Sequence, residues 1–211
     1  FADIAEVLDE VSFDEAIYII KLLDSEKTSE ILTELDEDTR ENILENLSAK
    51  EIAEEVGEMD SDDAADIIGE LSPERQKRVI NALEDDELAA DIRELLSYAD
   101  NTAGALMAKE LVKVYETWTV AGCMRRIRGQ AQEVTRVHSI YVVDKEDKLV
   151  GRLSLKDLIV ARSDQNISDI SKATVDAVNV NENDEEVAKI MVKYDLEAIP
   201  VVNDNNVLLG R

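Results

Sequence analysis

Carboxylates are the chemistry this sequence offers in quantity: 49 Asp and Glu stand against 23 Lys and Arg, for a formal charge of −26. Oxygen donors without nearby His or Cys suit a hard divalent cation, which takes oxygen ligands and keeps several waters. Asp62 and Asp66 lie four residues apart, so on a helix they share one face. A plainer role competes at Asp62. Asp14, Asp38, Asp62 and Asp86 recur every twenty-four residues, where an acid in a first helical turn complements the macrodipole. No catalytic constellation accompanies these acids. His138 is the single histidine and Cys123 the single cysteine. His138 reads as a polar surface or strand-edge residue, and a lone Cys123 excludes an internal disulfide and fits a reducing compartment. Ser154 has no base near it in sequence. Arg125, Arg126 and Arg128 form the one basic cluster, read as a solvated helix face or a docking point for acids.

The charge is unevenly placed. Residues 1–100 hold 32 of the acids and 8 of the bases. Such a surface repels nucleic acid and anionic lipid and attracts cations or a basic partner.

A twelve-residue beat must position these carboxylates. Ser12, Asp24, Asp36, Ser48, Asp60, Ser72 and Glu84 fall twelve apart, and each follows an apolar residue. Six of the seven can cap a helix N-terminus. Apolar residues recur four and five places before each beat, with Glu55 the exception. The spacing predicts short helices over 3–10, 13–23, 26–34, 37–46, 49–58, 62–70, from 73, and 86–96. Ser12 with Glu15 and Ser48 with Glu51 form capping boxes, and Pro73 suits a first helical position. Two beats make a helical hairpin, and stacked hairpins an α-solenoid. Glu30 occupies the same place in the beat as Asp66, as do Glu6 and Glu54. That stripe avoids the apolar positions and so faces water.

After residue 96 the texture changes. Residues 97–106 read as a linker. Strand-like runs follow at 111–115, 139–144 and 149–153, with helix-like stretches at 120–128 and 154–161. The order recurs at 175–180, 184–194, 198–203 and 207–210. Ile140-Tyr-Val-Val-Asp144 and Ile199-Pro-Val-Val-Asn203 lie 59 apart, as do Gly151 and Gly210. This is a duplicated β-α-β-β-α unit whose second copy breaks off at Arg211. The expected fold is multidomain: an all-α superhelical solenoid of short helices over 1–97, a linker at 98–106, and two α/β units at 107–162 and 163–211, the second truncated. Chain opening inside a helix pattern suggests an excised piece. No apolar run is long enough for a membrane span.

The duplicated half resembles a CBS-domain pair, carried by IYVVD at 140–144, by Gly151-Arg-Leu-Ser154-Leu-Lys-Asp157, and by IPVVN at 199–203. Together with the acidic helical repeat and the Ala103-Gly-Ala-Leu-Met107 stretch, the whole chain resembles the cytosolic part of the MgtE family of magnesium channels. That resemblance implies a non-enzymatic, magnesium-sensing region on the cytoplasmic side of the cell membrane. It implies a homodimer joined through the CBS domains beneath the protein's own transmembrane pore, which is absent here. Mg2+ bound between solenoid and CBS pair would favour the closed gate, and its loss the open one. Matching the family assigns metal contacts to Glu30, Asp62, Asp66 and Asp195, with Glu185 a further candidate. CBS pairs often bind adenine nucleotides, so ATP is a second expected ligand, with Ser154, Asp157 and Ile140 as its contacts. Two other readings remain: an adenine-nucleotide-sensing CBS module of another transporter or enzyme, and a helical interaction scaffold.

Overall fold

The computed structural model describes residues 1–130, 139–173 and 176–211, with side chains of Gly129 and Gln130 left aside. His138 lies outside these residues, as does Val175 at the start of an expected strand. The chain divides into two units, Phe1–Leu96 and Ser97–Arg211.

The first unit is eight short helices: α1 Ala2–Glu10, α2 Phe13–Ile20, α3 Ser25–Glu34, α4 Glu37–Glu45, α5 Ala49–Val56, α6 Ser61–Gly69, α7 Pro73–Ile80 and α8 Asp86–Leu95. Beat residues stand at the N-caps of α2 to α7. Asp24 accepts from the Lys27 N–H at 3.1 Å. Ser48 and Glu51 close a reciprocal box: Glu51 N–H donates to Ser48 Oγ at 3.2 Å, and Ser48 N–H donates to Glu51 Oε2 at 2.7 Å. At the last beat the register slips. Glu84 does not cap; Asp85 accepts from Glu87 and Leu88 N–H groups at 2.7 and 3.1 Å, because the shorter Asp side chain can fold back on its own backbone. Helices also stop earlier than the periodicity predicts. α2 ends at Ile20 rather than 23, and Leu22 and Leu23 donate to Ile19 and Ile20 in a tighter closing turn. Replacing Ser48 by alanine removes the Oγ that accepts from Glu51 N–H, leaves the backbone N–H that donates to Glu51, and is expected to lower stability by about 1 kcal/mol, measured by chemical denaturation.

Helices pack in two rows: α1, α3, α5 and α7 stack in order, while α2 meets α4 and α6 meets α8. Each is too short to persist alone. Their shared core of Ile31, Leu32, Ile43, Leu44, Ile52, Val56 and Ile68 is excluded from water. Long side chains of later hairpins satisfy the carbonyl ends of earlier helices. Arg75 Nη2 donates to Leu44 O and Leu47 O at 2.7 and 2.8 Å, and Arg40 Nη1 to Leu35 O at 3.0 Å. A cation at a helix C-terminus also meets the negative end of the macrodipole.

The second unit contains α9 Ala103–Leu106, β1 Val112–Tyr115, α10 Val120–Gln130, β2 Ile140–Val143, β3 Leu149–Leu153, α11 Leu155–Val160, α12 Ile167–Ile170, β4 Val178–Asn179, α13 Asp184–Tyr194, β5 Val201–Val202 and β6 Leu208–Gly210. Residues read as linker include a helical turn: Ala103 and Gly104 N–H groups in α9 donate to Glu182 O and Val180 O, both at 2.8 Å. Two three-stranded sheets, β1-β2-β3 and β4-β5-β6, repeat one pattern, parallel then antiparallel. Asp144 and Asn203 do the same job in both copies: each side chain accepts two backbone N–H groups of the hairpin turn that follows.

The copies interlock about a pseudo-two-fold relation. Arg152 of β3 exchanges backbone hydrogen bonds with Lys172, at the entrance to the second copy. Arg211, after β6, does so with Ala108, at the entrance to the first. Gly151 and Gly210 permit these approaches. A Cβ on Gly151 would lie 3.0 Å from Lys172 O, and one on Gly210 2.7 Å from Ala108 O. Tyr141, Val143 and Leu149 of the first copy pack against Val202 and Leu208 of the second.

Candidate functional site

α6 places Asp62 in its first turn and Asp66 one turn on. Asp62 is half-buried, and its Oδ1 is buried with no hydrogen-bond partner among the described residues. Burial, then the neighbouring Asp63 and Asp60, push its carboxyl up to about 6. Asp66 keeps much of its surface in water. Partial burial of its carboxyl, then Asp62 and Glu70, raise it, while Arg40 opposes. Two oxygen-only groups on one helical face, both hard to ionise without a counter-ion, fit a hydrated divalent cation and would not suit a soft or borderline metal.

The sequence does not point to Arg40 and Glu70. Arg40 Nη2 meets Glu70 Oε1 at 2.5 Å, and Nε reaches both carboxylate oxygens at 3.0 and 3.1 Å, with both side chains largely shielded from water. A signal exists all the same. Arg40 stands at a beat position that Ala16, Thr28, Ile52 and Ala64 fill as core residues. Arg40 gives its hydrogen bonds to Glu70 and acts on Asp66 only as a nearby charge.

Glu30 is exposed on α3. Shared beat position does not put it beside Asp66. The two are three beats apart, an odd number, so Glu30 belongs to the α3 row and Asp66 to the row of α6. A period of twenty-four, one full hairpin, identifies residues of the same row.

In the second unit, Glu185 and Asp195 stand at opposite ends of α13, about 15 Å apart along a helix of this rise, and are exposed. Glu185 is a first-turn acid. Asp195 caps the helix in the left-handed region at φ 51°, a conformation Asp tolerates better than most residues. Ser154 and Asp157 are engaged with each other: Ser154 Oγ donates to Asp157 Oδ2 at 2.8 Å, and Asp157 N–H donates to Ser154 Oγ at 3.1 Å. That bond holds the Asp157 carboxyl below its usual range. Ile140 is fully buried, among Val112, Leu153 and Leu158. Arg125, Arg126 and Arg128 are exposed on α10, and Arg126 borders a shallow hollow lined by Thr117, Trp118, Thr119 and Gly122. Burial pushes the Cys123 thiol up to about 11, so it is an inert core residue. No helix among the described residues is long and apolar enough to cross a membrane.

Comparison with known proteins matches both units. Residues 1–101 match the family described as MgtE intracellular N domain, and residues 103–164 and 167–211 match the CBS domain family. The magnesium transporter MgtE of Enterococcus faecalis is 42% identical over 120 residues, 57% of this chain and 26% of that protein. Its Thermus thermophilus counterpart is 38% identical over 121 residues, 57% of this chain and 27% of that protein. The chain thus spans about a quarter of the length of these curated relatives. Among solved structures, the cytosolic domain of the Mg2+ channel MgtE in complex with ATP superposes with a TM-score of 0.72 at 31% identity, covering 98% of this chain and 89% of that one. The soluble part of a magnesium transporter gives 0.71 at 31% identity, covering 97% and 90%. An acidic helical repeat joined to a duplicated CBS unit, matched along nearly its whole length, therefore belongs to the MgtE family and corresponds to its cytosolic region.

Proposed function

We propose that this chain is the magnesium-sensing regulatory region of a magnesium channel or transporter, on the cytoplasmic side of the membrane that holds its pore. The observation that carries this reading is the carboxylate pair on α6: half-buried Asp62 with an unpartnered buried oxygen, more exposed Asp66 one turn away, and Arg40 hydrogen-bonded to Glu70. Asp62 and Asp66 would hold hydrated Mg2+, with Glu30, Asp195 and Glu185 as further carboxylate contacts from both halves of the chain. A bound divalent ion cancels local repulsion that acts over a Debye length of about 8 Å at physiological salt. Its loss releases that repulsion and favours the open gate. Carrying a two-state gate from mostly closed to mostly open takes about 5.5 kcal/mol of differential binding. Several sites, each coupled by about 1–3 kcal/mol, reach this where one hydrated site does not. The response is therefore cooperative and of millimolar order, and the working unit is a homodimer joined through its CBS pairs.

Titrating the chain with MgCl2 while recording small-angle scattering tests the reading. A decrease in radius of gyration is expected, weakened by Asp62→Asn with Asp66→Asn. Unchanged dimensions across millimolar Mg2+ would overturn it.

ATP is a second proposed ligand, favoured by the relative solved with ATP. Ser154 and Asp157 would have to exchange their mutual hydrogen bonds for nucleotide contacts.

A further inference from the structure

We propose that Glu55 is a proton-operated spacer between α3 and α5, neutral when the two helices close on each other and ionised when their contact loosens. The site is independent of the magnesium reading. Its first support is register. Val7, Ile31 and Val79 occupy the same place in α1, α3 and α7, and Ile31 and Val79 are fully buried there. α5 alone in its row puts a carboxyl at this core position.

The surroundings make that carboxyl hard to ionise. Glu55 is half-buried, and its Oε2 is buried with no hydrogen-bond partner among the described residues. The strongest influences on it come from α5 itself and the start of α3. Burial comes first, then Glu54, with Glu51 and Asp24 adding like charge; the Ser25 hydroxyl donates to the carboxyl and favours its ionised form. Together they push the group up to about 7.

Nearby bases are engaged elsewhere. Lys27 pairs with Asp24, and Lys50 with Glu54 at 2.9 Å. From α7, Arg75 is directed to the carbonyls of Leu44 and Leu47, and Arg78 to that of Glu74, while Lys77 is exposed and is not among the main influences on Glu55. α6 faces α5 with Asp60, Asp62, Asp63 and Asp66 as its charged groups and brings no base. A carboxylate here can neither pair with a cation nor reach water fully, so protonation is its escape.

The sign follows from the raised value. A carboxyl that holds its proton more tightly in the folded chain contributes stability fully present below the ordinary value of 4.5, and loses it as pH rises through about 7. Neutral-range acidification therefore tightens the α3–α5 contact, and alkalinisation loosens it.

The test uses this chain in chelator, so that divalent ions play no part and failure of the magnesium reading leaves it intact. Amide hydrogen exchange in α3 and α5 is followed from pH 5.5 to 8.5 after correction for intrinsic rates. In the unaltered chain, protection is expected to fall by about tenfold or more, a value discounted for partial exposure. Glu55→Ile restores the residue type of the repeat and is expected to remove that fall. Glutamate-selective carboxyl NMR is expected to show one group titrating near neutrality in the unaltered chain, absent from Glu55→Gln. If every glutamate carboxyl titrates below pH 6, or if Glu55→Ile keeps the same pH dependence of exchange, the proposal is overturned. The NMR titration of the unaltered chain decides even if Glu55→Ile does not fold.

Discussion

Replacing Arg40 by methionine is expected to destabilise the helical unit by about 2–3 kcal/mol. Methionine keeps the apolar stem and removes the head group. Three losses follow together. The bidentate pair with Glu70 disappears, the Leu35 carbonyl loses its 3.0 Å donor, and Glu70 is left 25% exposed beside the acids of α6. Breaking a fully buried pair by removing one partner costs about 3–5 kcal/mol. Arg40 and Glu70 retain 18% and 25% exposure, so water screens part of this. Glu70→Gln should cost less, about 1 kcal/mol, because an amide can still accept from the guanidinium. The double variant should recover about 1–2 kcal/mol relative to the sum, since the introduced methionine no longer faces an unpaired charge. Chemical denaturation of the four proteins measures the cycle. Strict additivity would mean that Arg40 acts through its bond to the Leu35 carbonyl alone, and that the pair contributes nothing.

The same residue shows what is legible in the sequence and what is not. Capping residues every twelve places are local signals, and they locate the starts of α2 to α7. The slip from Glu84 to Asp85 escapes a strict period because it depends on side-chain length. Row membership also escapes it, since twelve residues describe one helix whereas stacking repeats with the hairpin; the beat aligns Glu30 with Asp66 on that account. Arg40 and Glu55 are visible as charged residues at apolar positions. What such a residue finds depends on a side chain thirty residues away: Glu70 for Arg40, and for Glu55 only the Ser25 hydroxyl. In the second unit the duplicated Asp144 and Asn203 are legible because each serves its own turn. The strand expected over 198–203 is shorter in the fold: only Val201–Val202 pair as strand, where Pro200 lacks an N–H to give a ladder. Ser154 and Asp157 illustrate a different limit. A serine three residues before an aspartate is at once a nucleotide-binding pattern and a capping box, and the structure uses it as the second.

Asp62→Asn is expected to act in opposite directions with and without magnesium. In chelator at pH 7.5 the substitution should stabilise the chain. Lifting a carboxyl from 3.8 to about 6 corresponds to at most ~3 kcal/mol of folding free energy given up when the group ionises. Because Asp62 is half-buried, screening reduces the gain to about 1 kcal/mol. The sign of the pH dependence is fixed by the direction of the shift: this stability is present below the ordinary aspartate range and is lost as pH rises through about 6. The advantage of the asparagine variant should therefore shrink below pH 6 and vanish below the ordinary value of 3.8. With Mg2+ added at pH 7.5 the order should reverse. The unaltered chain gains stability as RT ln(1 + [L]/Kd), whereas an amide offers one weaker neutral oxygen, and the magnesium midpoint should rise about tenfold or more. Lowering the pH to 5.5 should weaken the unaltered chain's magnesium response too, because protons then compete for the same oxygen atoms. Thermal unfolding at the two pH values, with chelator and with MgCl2, reads all four conditions. A variant less stable in chelator that kept its full magnesium gain would show that Asp62 serves the dipole of α6 and binds no cation.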